Sequence, residues 1–221
     1  MKTTTPPSPF AISNVRRFIA FRVCFNARFY YPVFAVLFLD FGLTLEQFAL
    51  LNAVWAATIV LLEVPSGALA DLMGRRNLLV AAGVLMVAEM LLLCLAPREA
   101  GPLLFAVFLA NRILSGTAEA AASGADEALA YDALKRFGRP EDWGRVLERQ
   151  IRYQSIGYVA AMSIGAAVYD PELLNRLASV MGLSIRFCGD ATLRFPLYLT
   201  LLMAVGALVQ TLGMEEVPHA R

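Results

Sequence analysis

The chain has 221 residues, of which 58% are hydrophobic and 17% charged, and its mean hydropathy is +0.61. Soluble domains average about 45–50% apolar and about 25% charged residues, so this composition indicates an integral membrane protein. The 19 Lys and Arg nearly balance the 18 Asp and Glu, and a net charge of +1 gives no electrostatic basis for binding nucleic acid.

Six stretches are long and apolar enough to cross a membrane. A hydrocarbon core about 30 Å thick needs about 20 helical residues, because lipid offers an open backbone no hydrogen-bond partners. The sequence therefore predicts an all-α membrane domain over residues 18–213, between tails at 1–17 and 214–221. In chain order, the predicted spans are 18–39, 46–70, 77–96, 103–130, 151–169 and 194–213.

Two segments outside the spans have helical patterns of their own. Residues 133–152 mix apolar side chains such as Trp143 with arginines, which is typical of one or two short amphipathic helices at the inner membrane surface. A plain connector that obeys the charge rule explains the same residues, and both interpretations stay open. Residues 172–182 place leucines at helical spacing and predict an interfacial helix on the outer side.

The distribution of basic residues predicts the orientation. Most lie in the N-terminal tail, in the loop between spans two and three, and in the loop between spans four and five. Because positively charged loops stay on the cytoplasmic side during insertion, we expect both termini to be cytoplasmic.

The sequence offers no site for a metal, a cofactor or catalysis. Cys24, Cys94 and Cys188 are far apart, and none is close to the single histidine, His219. A zinc site or a disulfide framework would need closer spacing. A nucleophile elbow is also absent from the sequence, so we expect neither an enzyme nor a cofactor.

Two arginines of span one lie at different depths. Arg22 is close enough to the inner surface for its side chain to snorkel there. Arg28 lies about 15 Å beyond Phe18 at about 1.5 Å per residue, which is too deep for snorkelling. Its charge needs a carboxylate partner, for which Glu63 and Glu119 are the candidates, or an anionic solute.

Span four carries charges at regular intervals. Arg112, Glu119 and Asp126 recur every seven residues, about two helical turns, which predicts one common face in a continuous helix. Arg112 and Glu119 either line a cavity or lock neighbouring helices together, and both alternatives stay open. We expect Asp126 in a network at the cytoplasmic end. In span five, the repeat of Gly157, Ala161 and Gly165 predicts close helix packing.

The junction of spans two and three carries a motif. It reads Gly67-Ala-Leu-Ala-Asp71-Leu-Met-Gly74-Arg75-Arg76. Glycine at 67 permits close helix approach, glycine at 74 permits a tight turn, and Asp71 can cap a helix or bind an arginine. The pattern resembles the G-x-x-x-D-R-x-G-R-R signature of the major facilitator superfamily of secondary transporters, although Leu72 replaces the usual arginine.

A second element strengthens this resemblance. Arg112-Ile-Leu-Ser-Gly116 is similar to the R-x-x-x-G element of the superfamily and stands at the expected distance from the first motif. The Gly-Pro element that many drug/proton antiporters have in span five is absent from residues 157–169, which disfavours that class of antiporter.

The resemblance implies a fold and a site. The fold is the N-terminal half of such a transporter, a six-helix bundle of inverted three-helix repeats, whose complete members hold substrate between two halves near the midplane. Spans one, two, four and five would face the cavity, whereas span three would be peripheral, so Glu89 is left outside the site. The implied substrate residues are Asn26, Arg28, Tyr30, Glu63, Arg112 and Glu119. The implied conformational latch is Gly67, Asp71, Gly74, Arg75 and Arg76.

The implied function is alternating-access transport of a small solute across a bacterial inner membrane. Arg28 and Arg112 favour an anionic or zwitterionic solute, and the coupling proton or ion stays open. The sequence ends where the central loop of the superfamily would begin, so we expect either a truncated product or a half that pairs with a second half or a second copy. The alternative is a non-transporting membrane subunit with a role in assembly or regulation.

Overall fold

The computed structural model describes residues 8–98, 101–182 and 186–217, and within these ranges the secondary structure is helical, without strands. His219 and the outer parts of both predicted tails lie outside the described residues. The helices are α1 Ser13–Asn26, α2 Phe34–Phe41, α3 Leu45–Met73, α4 Arg75–Cys94, α5 Pro102–Ala122, α6 Ala125–Phe137, α7 Trp143–Tyr169, α8 Pro171–Val180, α9 Gly189–Thr192 and α10 Phe195–Leu212.

Five helical segments of the described chain are long and apolar enough to cross a membrane. They are Ser13–Phe41, Leu45–Met73, Arg75–Cys94, Pro102–Phe137 and Phe195–Leu212, and they correspond to predicted spans one to four and six. The predicted fifth span lies in α7, which is long enough at 27 residues but is more polar near its start. The all-helical membrane fold is confirmed, while the crossing by α7 stays a prediction.

Predicted span one is broken rather than continuous. Helix α1 ends at Asn26, a short 3-10 turn covers Tyr31–Val33, and α2 begins at Phe34. Pro32 keeps a regular α-helix from continuing through this segment, because it has no N–H to donate to the carbonyl oxygen of Arg28, which accepts from Tyr31 at 3.2 Å instead. The freed N–H of Phe29 donates instead to Oγ1 of Thr200 on α10, at 2.9 Å.

Predicted span four is broken as well. Helix α5 ends at Ala122, and α6 begins after Gly124, whose φ of +74° lies in the left-handed region. A seven-residue spacing keeps one face only within an unbroken helix. The prediction that Asp126 shares a face with Arg112 and Glu119 by this periodicity is therefore wrong.

The segment 133–152 forms neither separate surface helices nor a plain connector. Helix α6 continues to Phe137, a 3-10 turn covers Pro140–Asp142, and α7 begins directly at Trp143. Hydrogen bonds from Arg145 and Arg139 hold the pKa of the Asp142 carboxyl in this turn below its ordinary value. The predicted helix within 172–182 is present as α8, which begins at Pro171 under a side-chain cap from Asp170.

Small residues set the closest helix contacts. A Cβ added to Gly116 would lie 2.8 Å from Cβ of Thr58 and 2.9 Å from the carbonyl oxygen of Trp55, so α5 packs directly on α3. On α7, a Cβ at Gly157 would meet Val23 at 3.1 Å, which agrees with the predicted packing role of that helix. Nothing lies within 4 Å of a Cβ built on Gly67, so the close approach predicted there is not made within the described chain.

Candidate functional site

The signature turn fastens three parts of the bundle together. Gly74, with a φ of +88°, joins α3 to α4. The guanidinium of Arg75 forms an ion pair with Asp132 on α6. Arg76 donates to the carbonyl oxygens of Met214, at 2.6 Å, and Leu212, at 2.9 Å, at the end of α10. The turn thus links α4 to both α6 and α10.

A carboxylate from the segment after α10 caps α4. Glu216 accepts hydrogen bonds from the N–H groups of Arg75, at 3.2 Å, and Arg76, at 2.7 Å. These N–H groups have no partner inside the helix, and a negative charge at a helix N-terminus is favourable. The sequence pattern does not reveal this contact. Asp71, the residue predicted to cap a helix or to bind an arginine, is exposed and pairs with no described residue.

Replacing Glu216 with alanine is expected to lower the free energy of unfolding by about 1 kcal/mol, the typical value of a helix cap. Thermal unfolding in detergent measures the change. Glu215 provides the matched control, since its side chain makes no hydrogen bond with a described residue and only its main chain bonds to Asn14, at 2.8 and 3.0 Å. Equal melting temperatures for the two alanine variants would contradict a capping role.

Arg28 lies in the broken part of span one and is bound to two carboxylates. Its side chain is 3% exposed, and Nη1 lies 2.5 Å from Oε1 of the completely buried Glu89. Nη2 is 3.9 Å from Oε2 of Glu119, whose side chain is 42% exposed. Glu89 is not an isolated acid on a peripheral helix, because α4 packs along α5 and α10 and its carboxylate lies against Arg28. Glu63, a predicted partner of Arg28, is instead exposed on α3.

Arg112 is equally buried, but no described carboxylate lies within ion-pairing distance of it. Nε and Nη2 donate to Oδ1 of Asn111, at 2.9 and 2.7 Å. Asn111 in turn donates to the carbonyl oxygen of Glu89, at 2.9 Å. The guanidinium carbon lies 5.3 Å from the ring centroid of Phe34 and 5.5 Å from that of Phe38. Neutral groups and aromatic faces therefore compensate this cation.

The remaining predicted substrate residues differ in accessibility. Asn26 is partly exposed and donates to the carbonyl oxygen of Arg22, at 2.8 Å. Tyr30 is completely buried, and its hydroxyl has no hydrogen-bond partner. Tyr31 was not selected from the sequence, but it is partly exposed and its ring centroid lies 5.9 Å from the Arg28 guanidinium. Tyr31 therefore has better access to a solute than Tyr30 has.

Arg22 forms ion pairs with two carboxylates of α6. Its Nε lies 2.5 Å from Oδ2 of Asp126, and its Nη2 lies 2.9 Å from Oε1 of Glu127. Both acids are near the predicted cytoplasmic end of span four, so the snorkelling of Arg22 toward that side stays a prediction. Asp126 is 1% exposed and ties α6 to α1.

The comparison with known families settles the class of protein. The sequence model of the Major Facilitator Superfamily matches residues 18–170, more than half of the chain. The chain belongs to the Major Facilitator Superfamily. A search of curated proteins gives no match. The match agrees with the resemblance carried by the signature turn and the Arg112–Gly116 element. Members of this superfamily are transporters rather than enzymes.

Glu119 and Tyr31 are partly exposed beside the buried Arg28, and we call this accessible surface the open face. Glu63 is exposed on α3, and no described contact joins it to this cluster. A cavity of about 560 Å³ lies between the start of α1, the end of α6 and the segment after α10, and one of about 430 Å³ lies between the α2–α3 turn and the start of α5. None of the predicted substrate residues lines either cavity.

Proposed function

We propose that the chain forms the N-terminal half of a secondary transporter that moves a small anionic or zwitterionic solute by alternating access. The proposed substrate residues are Asn26, Arg28, Tyr30, Glu63, Arg112 and Glu119. The observation that supports this function best is the pair of buried arginines beside one accessible carboxylate. Ionised groups at membrane depth are costly and are usually retained for a function.

The charge balance of this cluster supports an anionic ligand group. Glu89 compensates Arg28 at 2.5 Å, whereas Arg112 has only neutral partners. Arg112 is therefore the cation that an anionic group of the solute can balance, and Glu119 is the accessible carboxylate of the cluster. The coupling proton or ion stays open.

The signature turn is the proposed conformational latch. Its charge pair between Arg75 and Asp132, and the hydrogen bonds of Arg76 with the end of α10, fix the relative positions of α4, α6 and α10. Gly67 and Asp71 lie on the exposed side of α3. In this proposal Asp71 contacts a second half-bundle in one state of the transport cycle and is released in the other.

A non-transporting role in assembly is the second candidate function. Glu63 and Asp71 are exposed on a helix that is otherwise apolar enough to cross a membrane. Lipid is a poor neighbour for Glu63 at membrane depth, so this face favours a protein partner or a wet cavity. A second half or a second copy of the chain would supply it.

The proposed location is a bacterial inner membrane with both termini in the cytoplasm. The basic residues around the signature turn and the start of α7 support this orientation. A single-cysteine variant at position 74, made after replacement of the three native cysteines, tests it with a membrane-impermeant thiol reagent. Labelling of intact cells at this position would overturn the orientation.

Alanine at Arg28 or Arg112 is expected to abolish uptake while the protein still inserts into the membrane, and Arg28→Ala should also lower the melting temperature because it leaves Glu89 unpaired. Proteoliposome uptake of a panel of labelled monocarboxylates and amino acids measures the effect, and yield and monodispersity in detergent report insertion. Arg176→Ala is the matched control, since its side chain is 81% exposed on α8, away from the cluster. Full uptake by both cluster variants would count against the site. Uptake that appears only with a co-expressed second half would support a half-transporter, whereas no uptake by either form would favour the non-transporting role in assembly.

A further inference from the structure

The exposed face of α7 is positively charged at the start of the helix and apolar further along it. Arg145, Arg149 and Arg152 occupy the first turns of this face, and Ile156 and Val159 follow on the same face at helical spacing. All five residues are exposed, with Ile156 at 61% and Val159 at 63%. We call these five residues the α7 stripe. The buried residues of α7 lie on the opposite side of the helix.

The charged end of the α7 stripe surrounds a small cavity. Phe10, Glu148 and the three arginines line a volume of about 190 Å³. Phe10 is fixed there because Arg16 donates to the carbonyl oxygens of Phe10, at 3.0 Å, and Ala11, at 2.8 Å. The cavity is smaller than the roughly 300–1,000 Å³ of pockets for drug-sized ligands, so it suits a single compact group.

One arginine of this cavity has no carboxylate partner among the residues that the structure describes. Arg145 pairs with Asp142 at 3.0 Å, and Arg152 pairs with Glu148 at 2.7 Å, both with highly exposed guanidinium groups. Ion pairs that are so exposed contribute little to stability, so a phosphate can compete for these arginines. Arg149 forms no ion pair with a described residue, and its guanidinium carbon lies 3.6 Å from the ring centroid of Phe10.

We propose that the α7 stripe binds an anionic phospholipid. The phosphate lies in the cavity against Arg149, where arginine forms bidentate, charge-assisted hydrogen bonds, and one acyl chain lies along Ile156 and Val159. The order of charged and apolar residues along the helix matches the order of headgroup and chain in the lipid. A soluble phosphate would leave the apolar part of the stripe unused. A zwitterionic lipid would leave the Arg149 charge without a net counter-charge.

Native mass spectrometry of the full chain in detergent tests this site. The probes are phosphatidylglycerol and phosphatidylcholine with identical acyl chains. We expect the unmodified protein to bind phosphatidylglycerol at least about fivefold more tightly, the contribution of about one basic residue near an anionic lipid. Arg149→Gln should remove this preference, and Arg149→Lys should largely retain it. Melting temperatures of both variants check that they fold.

A charge-matched control separates the site from general surface charge. Arg136→Gln removes one exposed arginine from α6, off the α7 stripe and beside Phe137, and it should keep the preference. Equal binding of the two lipids, or equal loss in Arg136→Gln and Arg149→Gln, would overturn the proposal. Full competition by glycerol phosphate would also overturn it in favour of a soluble anion. Dimers that disappear in Arg149→Gln would overturn it in favour of a second copy on this face.

Discussion

Replacing Glu89 with alanine is expected to lower the free energy of unfolding by about 3–5 kcal/mol. The variant leaves the Arg28 cation buried without its main counter-charge, which is the costly way to break a buried ion pair. Arg28 is 3% exposed and Glu89 is completely buried, so water cannot replace the lost carboxylate without a rearrangement. Denaturant or thermal unfolding in detergent measures the difference from the unmodified protein.

Two further variants test whether the unpaired charge of Arg28 causes the loss of stability in Glu89→Ala. Glu119→Ala should change the free energy of unfolding by less than about 1 kcal/mol, since its carboxylate is 42% exposed and lies 3.9 Å from Arg28. The double variant Arg28→Met with Glu89→Leu should be far more stable than Glu89→Ala, because no charge is left unpaired. Similar losses for Glu89→Ala and Glu119→Ala would show that the buried pair does not stabilise the bundle.

The sequence predicts the helix that contains Glu89 but not the residue with which Glu89 pairs. Hydrophobic patterning predicted the helix containing Glu89 almost to its ends, because membrane-crossing segments depend on local composition. It could not predict that Arg28, 61 positions earlier, pairs most closely with Glu89 and with the predicted partner Glu119 only at 3.9 Å. That choice depends on which faces of α4 and α5 pack together. A lone acid in an apolar helix was nevertheless a usable signal, because membrane carboxylates without a partner are rare.

The breaks in spans one and four were predictable in part. Pro32 and Gly124 are both visible in the sequence, and each is a residue that commonly interrupts helices. Their effect depends on tertiary contacts that sequence alone does not reveal. At Phe29 a hydroxyl of α10 accepts the freed N–H, so the break is satisfied inside the protein. Non-helical backbone at membrane depth persists only where such partners exist.

The first break also shapes the candidate site. Because α1 stops at Asn26, the guanidinium of Arg28 turns away from the regular helix path and lies between Glu89 and Glu119. The resemblance to the superfamily suggested which helices line a cavity. The accessibility of each side chain could not be predicted from the resemblance: Tyr30 is completely buried, whereas Tyr31 is partly exposed.

Replacing Gly165 with alanine is expected to destabilise the bundle strongly and to reduce uptake. A Cβ at this position would lie 2.7 Å from the carbonyl carbon of Phe29 and closer still to its oxygen. Backbone atoms cannot swing aside as a flexible side chain can, so α7 must move away from the break beside Arg28. Overpacking of this kind typically costs about 1–3 kcal/mol, and a backbone neighbour favours the upper end. Thermal unfolding and proteoliposome uptake measure both effects.

Two other glycines of α7 provide a graded control for Gly165→Ala. Nothing lies within 4 Å of a Cβ built on Gly144, so Gly144→Ala should be neutral or stabilising by up to about 1 kcal/mol through reduced freedom of the unfolded chain. Gly157→Ala should be intermediate, because its nearest neighbour is the Val23 side chain at 3.1 Å. If the three variants had equal melting temperatures, the contact between α7 and the Phe29 backbone would not stabilise the break in span one. If only Gly165→Ala lost both stability and uptake, the break would be linked to transport through the position of Arg28.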